Sequence, residues 1–283
     1  MSDFLIVDSH VHLWNPAQLR YPWLDGLPTL NRAFLPEDFS AASADLNVGK
    51  IIFVECGCEP AQSFTETVWI SELARTEPRV KGIVAHADLE KGESARTDLA
   101  RLAANPIVKG VRRNLQGERD PEFCLRPDFV AGVRLLAEFR FTFDLCIRHE
   151  QLPAAAELVR RVPQAGFVLD HFGKPDVRGK KTEPWAADLK RLAALPNVAC
   201  KISGLTTEAD LKNWQPADLR FYFERALDYF SFNRVLFGGD WPVATLATSY
   251  RRWVETIRDF VSDAPAADLT KLFQTNAERI YRV

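Results

Sequence analysis

Phe141-Thr-Phe-Asp-Leu-Cys-Ile147 and Gly166-Phe-Val-Leu169 are two short apolar runs, and between them residues 154–161 carry an apolar stripe at helical spacing. The runs are continuous rather than alternating, as expected for parallel strands covered by helices. Strand, helix and strand in so short a stretch make a βαβ unit. The same alternation extends outward in both directions. Phe4–Val7, Lys50–Val54, Val80–Ala85 and Ile107–Val111 precede this unit, and Val198–Ile202 and Arg234–Phe237 follow it, which makes eight strand signals.

The intervening segments read as helices. Ser63-Phe-Thr-Glu66 has the form of a capping box opening a helix that runs to about Arg75. In 128–139, Phe129, Val130, Val133, Leu136 and Phe139 form one buried stripe. Stripes of this kind recur at 94–104, 184–195, 217–230, 246–262 and 266–280. The stretch 13–49 holds Pro, Trp and Tyr and predicts only a short helix near 37–46. Eight repeats within 283 residues favour a closed (β/α)8 TIM barrel, an α/β fold, over an open doubly wound sheet. No Gly-rich phosphate loop follows any strand, and no linker or composition break divides the chain, so residues 1–283 read as a single domain.

Composition narrows the function classes. Lys and Arg number 36 against 38 Asp and Glu, a net charge of −2, with the signs mixed along the chain. No basic footprint for nucleic acid is present. The start, Met1 to His10, has no positive region, and its apolar run stops at Val7. No stretch approaches the roughly 20 apolar residues of a membrane span. The expectation is a cytoplasmic protein with no membrane partner, and homo-oligomerisation is left open. The five cysteines (Cys56, Cys58, Cys124, Cys146 and Cys200) read as reduced, buried thiols. Cys56-Gly-Cys58 has no second pair to complete a zinc site.

In a barrel, catalytic groups sit at the C-terminal strand ends. Four ends carry suggestive residues. With a two-residue period, Ile6, Asp8, His10 and His12 share one face of the first strand and Leu5, Val7, Ser9 and Val11 the other. With the second face against the helices, both histidines enter the mouth, where they suit one divalent metal or a carbonyl oxygen. On the eighth strand Gly238 and Gly239 precede Asp240, an acid placed to take a proton from water. His171 ends the sixth strand, as metal ligand or carbonyl polariser. Arg112 and Arg113 end the fourth, where guanidinium forks suit oxygen-rich or anionic substrates. Glu55 and His86 end the second and third strands. Asp144, Arg148 and Lys201 interrupt apolar strands and need partners inside the barrel. Trp14, Tyr21, Trp23 and Trp241 offer stacking walls for a sugar ring, or core packing.

At these residues a resemblance appears. The blocks Asp8–Trp14, Val108–Glu118, Phe143–Pro153, Val168–Pro175, Cys200–Asp210 and Phe237–Val243 resemble the sugar-lactonase branch of the amidohydrolase superfamily. That branch includes L-fuconolactonases and L-rhamnonolactonases and is similar to 2-pyrone-4,6-dicarboxylate lactonase. The resemblance implies a carboxylic-ester (lactone) hydrolase acting on an L-rhamnono-, L-fucono- or related aldonolactone. It implies His10, His12, His171 and Asp240 as metal ligands, with Asp240 the general base and His171 also catalytic. Arg112, Arg113, Trp23 and Trp241 are expected to bind substrate. One divalent ion, zinc by expectation, belongs to this reading without being obligatory. Metal-rich relatives use a carbamylated lysine at the end of strand four, where this chain has Arg112-Arg113 and places Lys109 at the strand's start; that argues against two metals. His149 falls in a loop rather than on the fifth strand. Arg112-Arg113-Asn114-Leu-Gln116 stands where L-fuconolactonase-like sequences read Arg-His-Gln-Leu-Gln, and Gly239 replaces a usual serine at what reads as the pocket edge. A metal-dependent decarboxylase of the same superfamily and a non-catalytic sugar-acid-binding barrel are the rival readings.

Overall fold

A computed structural model describes residues 4–283; Met1–Asp3, on which part of the leader reading falls, lie outside the described residues. Eight parallel strands pair in chain order: β1 Ile6–Val11, β2 Val48–Val54, β3 Val80–His86, β4 Val108–Arg112, β5 Thr142–Leu145, β6 Gly166–Leu169, β7 Val198–Ile202 and β8 Val235–Phe237. Each coincides with a run seen in the sequence. The ring is closed at the C-terminal strand ends, where His12 N donates to Trp241 O at 2.7 Å and Asp240 N to His10 O at 2.8 Å. Closure therefore passes through the candidate site itself.

The helices are α1 Pro36–Ala42, α2 Ser63–Leu73, α3 Arg96–Ala103, α4 Pro127–Glu138, α5 Leu152–Arg161, α6 Trp185–Ala193, α7 Pro216–Phe230, α8 Tyr250–Phe260, α9 Ala266–Thr270 and α10 Asn276–Tyr281. None is long and apolar enough to cross a membrane. Two expectations are corrected. The last stripe is not one helix, because a π-helical turn at Lys271–Thr275 separates α9 from α10. The capping box at Ser63 is absent: Ser63 Oγ donates to Pro60 O, and Glu66 Oε2 accepts from Cys56 N instead, drawing that carboxylate inward. All five cysteines are free and buried.

The apolar residues divide into two layers. The larger core lies between strands and helices. A smaller cluster holds Val7, Ile52, Val54, Val84, Val168, Ala199 and Leu236 together with Ala277 and Tyr281 of α10. This second set fills the barrel, and α10 closes it from the N-terminal end. The interior is packed, as in other barrels, so function is confined to the mouth.

Packing against the helical layer is tight at Gly132 in α4, where a Cβ would stand 2.1 Å from the Leu89 carbonyl oxygen. Gly132→Ala is expected to lower stability by about 1–3 kcal/mol. Gly26→Ala, with nothing within 4 Å of the added carbon, is expected to show no loss. Urea denaturation of both variants makes the comparison.

Candidate active site and metal centre

The first strand delivers two histidines through an irregularity. Asp8 pairs with Ile51 and Val11 with Phe53, so β1 spends three steps where β2 spends two. An extra residue moves every later side chain to the opposite face. Val7 therefore points into the barrel and Asp8 out toward α8, while His10 and His12 point into the mouth. The expected placement of both imidazoles holds, but Asp8 does not share their face. Its carboxylate accepts from His10 N at 2.9 Å, Gly239 N at 2.8 Å and Tyr250 OH at 2.8 Å. Burial pushes Asp8 up to about 7 in spite of these donors.

His171 arrives through a left-handed turn. His171, Phe172 and Lys174 have φ of 53°, 58° and 50°, in a region that non-glycine residues seldom adopt. Such strain persists only where its surroundings enforce it. Here Gly204 supplies the room, since a Cβ on it would lie 2.4 Å from His171 Nδ1. Ser203 Oγ, at 2.8 Å from the same nitrogen, fixes the ring.

Four ligand atoms converge in the mouth. His10 Nε2 and His12 Nε2 are 3.1 Å apart. Asp240 Oδ1 lies 3.7 Å from His10 Nε2, 3.6 Å from His12 Nε2 and 3.8 Å from His171 Nε2. Tetrahedral ligands at about 2.1 Å from a zinc ion stand about 3.4 Å from one another, and the three edges among His10, His12 and Asp240 bracket that value, while His171 meets this trio through Asp240. Outer partners set the tautomers. His12 Nδ1 faces Val54 O at 2.8 Å, which holds the proton there and leaves Nε2 as a donor of electrons. Asp170 Oδ1, buried and accepting no aligned hydrogen bond, lies 3.3 Å from His10 Nδ1. It is the acceptor that a metal-bound His10 requires. The residues present therefore fit one divalent ion.

Beneath this cluster two of the three charges expected to need interior partners, Asp144 and Lys201, find each other; the third, Arg148, lies past β5, is exposed and donates to Gln116 O. Lys201 Nζ donates to Asp144 Oδ2 at 2.6 Å and lies 3.0 Å from Asp170 Oδ1 and 3.1 Å from His10 Nδ1. Tyr281 OH, from α10, donates to Asp144 at 2.8 Å. Burial opposes both the lysine's charge and the carboxylates', yet the two acids hold the ammonium above its ordinary value. Burial pushes His171 down to about 4 and His10 well below its ordinary value, so both are neutral ligands near pH 7. The surrounding imidazoles overcome burial at Asp240 and hold its carboxyl well below the usual range.

A cavity of about 370 Å³ opens over the cluster. His12, His171 and Asp240 form its floor, and Trp23, Arg112, Asn114, Gln116, Cys146 and Lys174 contribute walls. Arg112 is buried, with Nε on Glu55 Oε1 at 2.6 Å and one terminal nitrogen on the Glu55 carbonyl oxygen. Two residues expected at the cavity do not line it. Arg113 follows Arg112 and so faces the other way, held by Glu90 and Glu118 at 2.8 Å each. Trp241 packs behind the site on Phe34 and Phe39 and does not line the cavity. Gly239 is not at the pocket edge either: a Cβ there would meet Asp8 and Tyr250 within 2.5 Å, so glycine accompanies that outer hydrogen bond. His149 binds the Lys174 carbonyl, and His86 pairs with Asp88, both away from the four ligand atoms. Lys174, paired with Glu208 at 3.1 Å, is a wall residue that sequence reasoning passed over. Its place in the quoted His-Phe-Gly-Lys block was the only signal.

Comparison with known proteins places these features in a family. The chain is 34% identical to an L-fucono-1,5-lactonase of Burkholderia multivorans over 297 residues, covering 98% of this chain and 96% of that one. It is 21% identical, over the full length of both, to an L-rhamnono-gamma-lactonase of Scheffersomyces stipitis. A crystal structure of a Burkholderia multivorans amidohydrolase with bound zinc superposes with a TM-score of 0.88 at 32% identity, covering 99% of this chain and 100% of that one. A 2,6-dihydroxybenzoate decarboxylase from Rhizobium, at 15% identity and a TM-score of 0.66 over 100% of this chain and 99% of that one, shares the fold alone. The family model described as Amidohydrolase matches residues 7–283, and the chain belongs to that family.

Proposed function

We propose that this protein hydrolyses the ring ester of a sugar-acid lactone, an aldonolactone of the L-fucono or L-rhamnono class. The observation that carries the reading is the convergence of three imidazole nitrogens on the Asp240 carboxylate at the floor of the cavity. The lactonase relatives support the substrate class. A divalent ion, zinc by analogy with the related crystal structure, would be held by His10, His12, Asp240 and His171 and would polarise the lactone carbonyl and acidify water.

The chain's own groups account for the remaining steps. Asp240, ionised at neutral pH, accepts a proton from the water whose oxygen bonds to the carbonyl carbon. As the bond from that carbon to the ring oxygen breaks, Asp240 returns the proton to the departing oxygen, leaving a hydroxy acid. Trp23 gives the sugar ring an apolar face, with its Nε1 fixed on Cys56 O at 2.7 Å. Asn114, Gln116 and Lys174 present donors and acceptors for hydroxyl groups. Arg112, clamped by Glu55, offers a rigid positive edge to substrate oxygens.

Asp240→Asn keeps the shape and removes the proton acceptor. Turnover of an L-aldonolactone near neutrality, with spontaneous hydrolysis subtracted, is expected to fall at least about a hundredfold in a folded protein. A folded variant that retains wild-type kcat would move the base elsewhere.

In the wild-type protein Asp240 is ionised throughout the working range, so it imposes no acid limb near neutrality. His171, neutral above about 4, gains a proton as the pH falls through that value. A plot of kcat/KM is expected to be flat from about pH 5 to 8 and to fall below that range.

The two neighbouring arginines separate cleanly. Arg112→Lys preserves charge but loses the fork, and kcat/KM is expected to drop tenfold or more, since a charged hydrogen bond is worth about 1.5–3 kcal/mol. Arg113→Met is expected to leave steady-state kinetics within about twofold, because Glu90 and Glu118 hold its guanidinium away from the cavity.

A further inference from the structure

The opposite end of the barrel holds a second cavity, of about 380 Å³, at the N-terminal ends of β5, β6 and β7. Arg140, Arg234, Arg279 and Arg282 line it, with Phe141 and Phe167 as apolar wall. A smaller hollow adjoins it, shares Arg140, Phe141 and Arg282, and adds Lys109.

No carboxylate pairs with any of these cations among the described residues. The acids on the neighbouring helices are engaged elsewhere, Glu138 with Arg96 at 2.6 Å and Glu278 with Lys50 at 2.7 Å. Arg234 spends its donors on the carbonyls of Ala193, Leu195 and Val198, and Arg279 donates to Asn233 O, which orients both guanidinium groups without cancelling their charge. Arg282 donates to Lys109 O at 2.9 Å, which fixes it at the shared rim of the two hollows.

The backbone adds an independent observation. Arg140 and Arg282 both have left-handed φ, 59° and 56°. Each follows a helix in the position where glycine is the usual residue. After α4, Arg140 N donates to Ala137 O and Phe141 N to Leu136 O; after α10, Val283 N donates to Glu278 O. A non-glycine residue in this conformation is disfavoured, because its Cβ crowds the following carbonyl oxygen. Two helix ends thus carry arginine where glycine folds more cheaply, and both arginines face one cavity. Burial, and after it the neighbouring Arg140, hold Arg282 below its ordinary value; burial, and after it Arg282, do the same to Lys109.

We infer that this cavity is a binding site for a small multivalent oxyanion, a molecule bearing two or more carboxylate or phosphate groups, separate from the catalytic mouth. Such a ligand neutralises the crowded arginines through bidentate hydrogen bonds. The volume suits a metabolite rather than a single inorganic ion.

Calorimetry and thermal unfolding at about 0.15 M ionic strength, where diffuse attraction is screened beyond about 8 Å, provide the test. Citrate, pyrophosphate and inorganic phosphate are the probes, with chloride as the monovalent control. Citrate or pyrophosphate is expected to bind at one site with a Kd below about 1 mM and to raise Tm. Preference for one of the two identifies carboxylate or phosphate as the natural group. The decisive variants are Arg140→Gly and Arg282→Gly, which suit the left-handed backbone and are expected to fold at least as stably as the parent. The double variant is expected to weaken anion binding at least tenfold. No heat or Tm shift with either multivalent anion, an equal response to chloride, or unaltered binding in the folded double variant would overturn the inference. None of these readouts depends on lactone turnover.

Discussion

A single buried ammonium ties this barrel together. Lys201 stands in the interior between Asp144 and Asp170 with no solvent exposure, and a charge in that position is tolerable only when paired and hydrogen-bonded. Its partners span the height of the barrel. Asp144 takes a hydrogen bond from Tyr281, the side chain with which α10 seals the N-terminal end. Asp170 and His10 lie just beneath the floor of the mouth, beside the same ammonium. The closing helix and the metal-competent histidines are thereby joined through three side chains. Removing the lysine would leave Asp144 buried with hydroxyl partners alone and Asp170 with no cation nearer than Arg112 at 3.5 Å, which is worse than never having placed a charge there.

The strand-end residues act as a set because neighbouring elements restrict them. Gly204 makes space for His171, Val54 and Ser203 orient imidazoles, and the Asp8–Tyr250 hydrogen bond fills the space that a side chain at Gly239 would need. Catalytic geometry of this kind is held within fractions of an ångström only by such outer contacts. Part of the backbone strain falls in the same place, at His171, Phe172, Lys174 and Asp240, all with positive φ. The two ends of the barrel differ in chemistry. The mouth pairs its carboxylates with arginine and lysine, whereas the arginines gathered at the opposite end pair with no acid among the described residues.

Much of this was legible in the amino-acid sequence. Continuous apolar runs alternating with helical stripes admit few arrangements besides a parallel barrel, because strands buried on both faces lose their alternation. That the polar groups at strand ends matter follows from the barrel, and His10, His12, His171 and Asp240 were all named from their positions. Asp144 and Lys201 announced themselves as charges inside apolar strands. What failed was orientation. A strict two-residue period put Asp8 beside His10, and only the register between β1 and β2 reveals the additional residue that turns Asp8 outward.

The sequence by itself determined the fold class, the eight strand positions and the identity of the four converging groups, because burial periodicity and residue chemistry are local properties. Tertiary structure decided which of two adjacent residues reaches the cavity. Arg112 enters and Arg113 leaves because neighbours on a strand take opposite faces, and which face is inward depends on pairing with distant strands. It also decided that Trp241 is core and Trp23 is wall, and that Lys174 joins the site. The arginines gathered at the far end are separated by up to 142 positions, Arg140 to Arg282, and nothing local connects them. Convergence of remote side chains is set by how the ring closes, and no window of sequence contains that information.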